Sequence, residues 1–266
     1  YGFMSPVEFI PLLEESSLII PLGRWIIDTA AAQCNEWVKI IPQFVMHINL
    51  SFVQIAKSNV IKDVIENINK YDAGNEHFVF EITESIQMDS NIAIKRVLKE
   101  FVDNGFLLAI DDFGTGYSNL KNIGILSPNT VKIDRSFTMQ ALQNEYEHKL
   151  LEHIIDMIHS LNLKVVVEGI ETAEELKEIS HMKPDYIQGY YYSKPCTSQQ
   201  FKEKYHIANG LDGKWLDTYN GVDDTMKVNS VDNIIVSKNI TIKEVKMIPS
   251  KLSNHNPLVA TLELGE

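Results

Sequence analysis

The chain of 266 residues holds only two cysteines, Cys34 and Cys196. They form neither a metal-binding spacing nor a disulfide framework, which excludes a thiolate zinc site and a stapled scaffold. Cys34 falls within a helical pattern and reads as a small core residue. So few thiols suit a reducing compartment. Long apolar runs are also missing. None approaches the roughly 20 residues of a membrane span. The opening Tyr1-Gly2-Phe3-Met4-Ser5-Pro6 has no charged start and no apolar signal region. The expected location is cytoplasmic, and any membrane tether would belong to a longer parent. Basic residues are scarce, 24 Lys and Arg against 36 Asp and Glu, for a net charge of -12. A large duplex-binding face needs clustered Lys and Arg, so duplex nucleic acid is excluded as a partner. A small phosphorylated ligand is not, because carboxylates can hold a divalent cation that meets the phosphate.

What is present is an apolar fraction of 44%, enough for a large core. From Pro6 to about Tyr205, helical patterns alternate with short apolar strands. Helices are expected over 8–16, 22–38, 53–68, 92–103, 117–123, 139–161, 173–182 and 198–205. Strands are expected over 44–50, 78–82, 106–110, 130–133, 164–167 and 186–189. This rhythm calls for parallel strands with helices outside. The six strands carry polar residues at or just past their C-terminal ends: Asn49, Glu81, Asp111, Asp112, Lys132, Glu168 and Gln188. A (β/α)8 barrel keeps its chemistry there. A doubly wound sheet would gather such residues near one switch point instead. The expected fold is therefore α/β, an incomplete (β/α)8 TIM-type barrel of about six strands over 1–205. Residues 206–266 lose the helical period and form a small β-rich tail, with strands near 233–236, 241–248 and 258–264.

Asp111-Asp112-Phe113-Gly114-Thr115-Gly116 is the most telling stretch. Adjacent carboxylates repel unless a cation lies between them, and glycines after a strand let the backbone turn toward a ligand. Asp and Gly are also common turn formers, so this patch alone reads equally as a solvated turn. The recurrence of acids at strand ends decides for a site. Asn49, Glu81, Asp111, Asp112, Glu168 and Glu171 are all oxygen donors, a set that favours Mg2+, Mn2+ or Ca2+. Two metals sharing an aspartate could serve an in-line displacement at phosphorus. Lys132 would then be a buried cation that holds water or a phosphate oxygen, or else an ion pair inside a carboxylate ring.

At this point the ordered motifs resemble a family. Pro6-Val7-Glu8-Phe9-Ile10-Pro11, Asn49-Leu50-Ser51, Glu81-Ile82-Thr83-Glu84, Asp111 through Ser118, Lys132-Ile133-Asp134, Glu168-Gly169-Ile170-Glu171, Gln188-Gly189-Tyr190 and Ser193-Lys194-Pro195 stand in the order of the EAL domain. The resemblance covers residues 1 to about 205. It implies a bacterial phosphodiesterase that hydrolyses cyclic di-GMP to linear pGpG with two Mg2+ or Mn2+ ions. It implies Asn49, Glu81 and Asp111 as metal ligands, Asp111 bridging and Asp112 serving the second ion. Glu168 would be a metal-side carboxylate or the general base, and Lys132 would position the water. Glu84 would brace the loop from Phe113 to Ser118, and Glu171 and Gln188 would line the site. The family's Glu-Ala-Leu strand, the strand before it and a phosphate-gripping basic residue would lie upstream of Tyr1. Val167 stands where the family usually has Ala, and Asn119 where it often has Ser.

The tail resembles, more weakly, the C-terminal end of the endonuclease/exonuclease/phosphatase family. Asp232 and His255 fit its Asp–His pair, although Asn254 replaces an expected Asp. Three readings of the whole chain are thus open. It is a working cyclic di-GMP phosphodiesterase module, an inactive EAL domain that binds the dinucleotide or docks a partner, or a remnant of two joined domains. A six-stranded arc has two open edges. Tail strands, upstream residues or a second copy in a homodimer are expected to cover them.

Overall fold

The computed structural model describes residues 4–84, 92–115, 123–124 and 126–200, together with four strands, 205–208, 234–237, 240–247 and 258–264. The chain divides into two units. The first comprises Tyr1–Lys39 and Phe44–Lys194, and the second Ile40–Gln43 and Pro195–Glu266.

In the first unit, α1 (Pro6–Glu15) and α2 (Ile19–Val38) lead into β1 (Met46–Asn49). The helices α3 (Phe52–Lys57) and α4 (Val60–Ile68) connect it to β2 (Phe78–Thr83), and α5 (Ile92–Asp103) precedes β3 (Leu107–Phe113). The unit continues through β4 (Thr130–Ile133), α6 (Arg135–Gln143), α7 (Glu145–Ser160), β5 (Lys164–Glu168), α8 (Ala173–Ser180) and β6 (Tyr186–Gln188). The six strands form one parallel sheet in the order β1-β2-β3-β4-β5-β6. Strand order follows chain order without reversal. This is an arc of a (β/α)8 barrel rather than a doubly wound sheet, whose order turns back at a switch point.

Two expected helices are each broken by a residue that prefers to cap. The expected 53–68 helix ends at Ser58, whose backbone is extended, and resumes after Asn59. The expected 139–161 helix is interrupted at Asn144, whose side chain accepts from the Tyr146 and Glu147 amides to start α7. Of the helix expected over 117–123, residues 117–122 lie outside the described residues.

Strand alternation sorts the side chains. Ile48, Phe78, Phe80, Ile82, Leu108, Ile110, Val131, Ile133, Val165 and Val167 join the hydrophobic core with the helices. Phe80 sits edge-on to Phe101 of α5 and to Phe106, with centroids 4.9 and 5.5 Å away. Because successive strand residues point to opposite faces, this outward packing turns Asn49, Glu81, Asp111, Lys132 and Glu168 to the other face of the sheet.

Cys34 is fully buried in α2, and burial pushes its thiol up to about 11. Cys196, in the second unit, is exposed. A thiolate-selective aromatic disulfide should therefore titrate one thiol in the native chain and two in guanidinium. Two fast native equivalents would contradict the packing of Cys34.

In the second unit, β7 (Tyr205–Ala208) pairs antiparallel with β8 (Ile234–Ser237). β9 (Ile240–Met247) pairs antiparallel with β10 (Leu258–Leu264). The helix expected to run through Tyr205 stops short of it, since Tyr205 opens β7. No helix among the described residues is long and apolar enough to cross a membrane.

Candidate active site

The site is built on the inner face near the C-terminal ends of β1 to β6. In β1, Asn49 is the last strand residue and stands in register with Glu81. The chain then leaves the sheet because Ser51 caps α3, accepting from the Val53 amide, while Leu50 enters the core. Ser51 Oγ also donates to Glu14 Oε1 at 2.6 Å. Asn49 thus stands on the inner face, whereas Leu50 packs in the core and Ser51 caps the helix.

The centre is Lys132 of β4, whose side chain is only 6% exposed. Its Nζ lies 2.8 Å from Glu81 Oε2, 2.8 Å from Asp111 Oδ1 and 2.8 Å from Glu168 Oε1. One ammonium faces three carboxylates, a formal excess of two negative charges. Burial opposes the Lys132 charge, but Glu81 and Asp111 outweigh it and raise the ammonium pKa above its ordinary value. Burial likewise pushes Glu81 up. His47 Nδ1, 2.7 Å from Glu81 Oε1, and Lys132 together bring that carboxyl below its usual range. Glu168 ends on the other side. Burial raises it, and the opposing effect of Lys132 does not fully cancel that.

The Asp111-Asp112 pair is not in a turn after β3 but within the strand. Ile110 pairs with Val131 and Phe113 with Ile133, so β3 carries one extra residue against β4. This is a β-bulge. Asp112 has φ +56°, a left-handed conformation that Asp tolerates better than most residues. A regular pleat would send Asp112 to the helix side, toward the apolar core. The bulge removes that requirement and still returns Phe113 to the core. Burial raises the Asp112 carboxyl, and neighbouring Asp111 and Asp134 add to the effect.

Around the centre, Glu84 Oε2 accepts from the Gly114 amide at 3.2 Å, bracing the start of the loop after β3. Residues 116–118 of that loop lie outside the described residues. Glu171 pairs with Arg135 Nη1 at 2.7 Å. Gln188 is in register with Glu168, and its carbonyl accepts from the Gly169 and Ile170 amides. Glu81, Asp111, Lys132 and Glu168 are therefore brought into direct contact, with Asp112 beside Asp111. Asn49 stands by register, and Glu84, Glu171 and Gln188 lie on the flanking loops and strand. Asp232 and His255 lie outside the described residues.

Sequence reasoning missed two residues. His47 shares the inner face with Asn49 two positions away, and a period-2 reading of β1 could have found it. Arg135 had no local signal, because its partner Glu171 comes from the next strand–helix unit.

A family model described as EAL domain matches residues 1–195. The chain belongs to the EAL-domain family. It is 34% identical over 198 residues to the signaling protein YkoW of Bacillus subtilis, covering 74% of this chain and 25% of that protein. It is 32% identical over 197 residues to the probable cyclic di-GMP phosphodiesterase PdeG of Escherichia coli, covering 74% and 39%. Among solved structures it resembles a PaMucR phosphodiesterase in complex with c-di-GMP. That match has TM-score 0.71, 29% identity and coverage of 76% of this chain and 82% of that one. The chain thus spans between a quarter and two fifths of the two curated relatives.

EAL domains are metal-dependent, and this EAL chain's residues fit such an ion in donor chemistry. The donors are oxygens throughout, and three carboxylates outnumber the one ammonium they face. Among the described residues no three carboxylates already converge on one metal position. They close on the Lys132 ammonium instead.

Proposed function

We propose that the chain is a phosphodiesterase module that hydrolyses cyclic di-GMP to linear pGpG. One observation carries this reading: a buried lysine held by three carboxylates, with a fourth beside them, at the C-terminal ends of parallel barrel strands. An all-oxygen cluster with net negative charge attracts hard divalent cations, and such cations are what allow it to meet a phosphodiester.

In this reading Asn49, Glu81, Asp111 and Asp112 would hold two Mg2+ or Mn2+ ions, with Glu168 on the metal side of the site. When bound, the ions would polarise the phosphoryl oxygens and acidify water. The protein's own groups do the rest. Glu168, with its raised pKa, accepts the proton of the attacking water. Lys132 orients that water or neutralises a non-bridging phosphate oxygen. The water oxygen bonds to phosphorus, the bond from phosphorus to the ribose 3′ oxygen breaks, and that oxygen takes up a proton. Glu84 holds the loop after β3, and Glu171 and Gln188 line the site. The module then works in the cytoplasm, where the second messenger would be met, within a longer signalling protein. Residues 1–205 act as the catalytic domain. Residues 206–266, with Asp232 and His255, form an endonuclease/exonuclease/phosphatase-type fragment without nuclease activity, and a homodimer shields the open sheet edges.

The test is incubation of the pure chain with cyclic di-GMP and Mg2+ or Mn2+, followed by chromatography of the products. Stoichiometric pGpG release that stops on chelation and is lost in Asp111→Asn is the expected result. Binding without release would establish a sensor module instead. Neither binding nor release would overturn the reading for this chain.

A further inference from the structure

We infer that Arg135 is a positioning residue for the glutamate pair, fixing the Glu168-Gly169-Ile170-Glu171 turn against the strand that carries Lys132. The inference rests on the phosphodiesterase reading and assigns a role to a residue outside its proposed machinery.

Arg135 is the first residue of α6, three positions after Lys132. Its place is set by Asp134, which follows β4 directly and caps α6 by accepting from the Ser136 amide at 2.7 Å. From there the aliphatic stem of Arg135 crosses the backbone of Gly169. A Cβ at position 169 would collide with Cγ and Cβ of Arg135, and Gly169 itself has φ +88°. The stem then delivers Nη1 to Glu171 Oε1 at 2.7 Å. Glycine is required at 169 on both counts, conformation and space.

The turn is held on its other sides as well. Lys132 pairs with Glu168 at 2.8 Å. The Gln188 carbonyl accepts from the amides of Gly169 and Ile170 at 2.9 and 3.2 Å. A Cβ at Gly189 would strike the Ile170 carbonyl oxygen, so β6 presses directly on the turn. Glu175 Oε2 accepts from the Glu171 amide at 2.7 Å, and Arg135 adds a side-chain clamp on Glu171 from the helix that follows the lysine strand.

A simple stability role predicts little. The Arg135 side chain is 54% exposed and that of Glu171 37% exposed, and exposed pairs contribute weakly to folding. A positioning role predicts more, because the supports of site carboxylates typically govern metal affinity and activity by 10- to 100-fold.

The experiment compares wild type with Arg135→Met, which keeps the stem over Gly169, and Arg135→Lys, which keeps the charge. Three quantities are measured: turnover of cyclic di-GMP, Mn2+ affinity of the substrate-free chain by electron paramagnetic resonance, and thermal midpoint. The expected result is an Arg135→Met turnover number about 10-fold down with KM within twofold. Mn2+ affinity should weaken severalfold, the midpoint should hardly move, and Arg135→Lys should recover part of both losses. Unchanged turnover and Mn2+ affinity in Arg135→Met, or losses that merely follow the midpoint, would overturn the inference. Should wild type bind Mn2+ without hydrolysing the dinucleotide, the phosphodiesterase reading fails while the Mn2+ comparison still decides the role of Arg135.

Discussion

Substituting Lys132 by methionine is expected to abolish pGpG release and to destabilise the metal-free chain by about 3 to 5 kcal/mol, the typical result of breaking a buried ion pair from one side. The cause is the asymmetry of the cluster. Lys132 is the cation common to Glu81, Asp111 and Glu168, and methionine fills similar volume without its charge. The loss should depend on pH. In wild type the ammonium helps hold Glu81 and Glu168 down. Without it Glu168, already raised by burial, rises further above its unfolded value, so the folded variant binds more protons there than the unfolded chain. Its stability then falls as pH rises through the carboxylate range and recovers as pH drops. Millimolar Mg2+ or Mn2+ should restore part of the deficit at neutral pH by returning positive charge to the cluster. Urea unfolding at pH 5 and pH 8, with and without the ion, checks this. Equal stability of the variant and wild type at both values would mean that Lys132 does not neutralise the buried acids.

Glu168→Gln should leave cyclic di-GMP binding within a few-fold of wild type while lowering turnover by about 10²- to 10⁴-fold, the range for removing a general base. The two effects separate because the amide keeps the shape of the carboxyl but cannot accept the proton at neutral pH. Glu168 is the suited group for this. It is the centre carboxylate that burial raises on balance, whereas Glu81, held by His47 and Lys132, is lowered. The check is a dissociation constant for the dinucleotide beside a single-turnover rate. If Glu168→Gln retains near wild-type turnover, the proton goes elsewhere and the assignment fails. If binding is lost together with turnover, Glu168 serves chiefly to hold the ligand or its metal.

Much of the architecture was legible before any coordinates. Short apolar runs ending in acids mark parallel strands whose outer residues feed the core, and every expected strand of the first unit is present. The helix breaks at Ser58-Asn59 and Asn144 were not, because residues that interrupt one helix also cap the next. His47 was hidden because it lies inside β1, two residues before the strand end, and only its pairing with Glu81 on the neighbouring strand marks it. Arg135 was hidden because its partner and the glycine it crosses lie more than thirty residues away.

The sequence by itself determined which residues could carry chemistry. Strand periodicity dictates that Glu81, Asp111, Lys132 and Glu168 share the face opposite the apolar side chains. Only the tertiary structure decided what that shared face becomes. Parallel register lets Lys132 meet three carboxylates at once, and the extra residue in β3 lets Asp111 and Asp112 follow one another without turning one into the apolar core. Periodicity is a property of one strand, but the distance between charges on different strands depends on their stagger. That stagger is fixed by the hydrogen-bonded register between neighbouring strands.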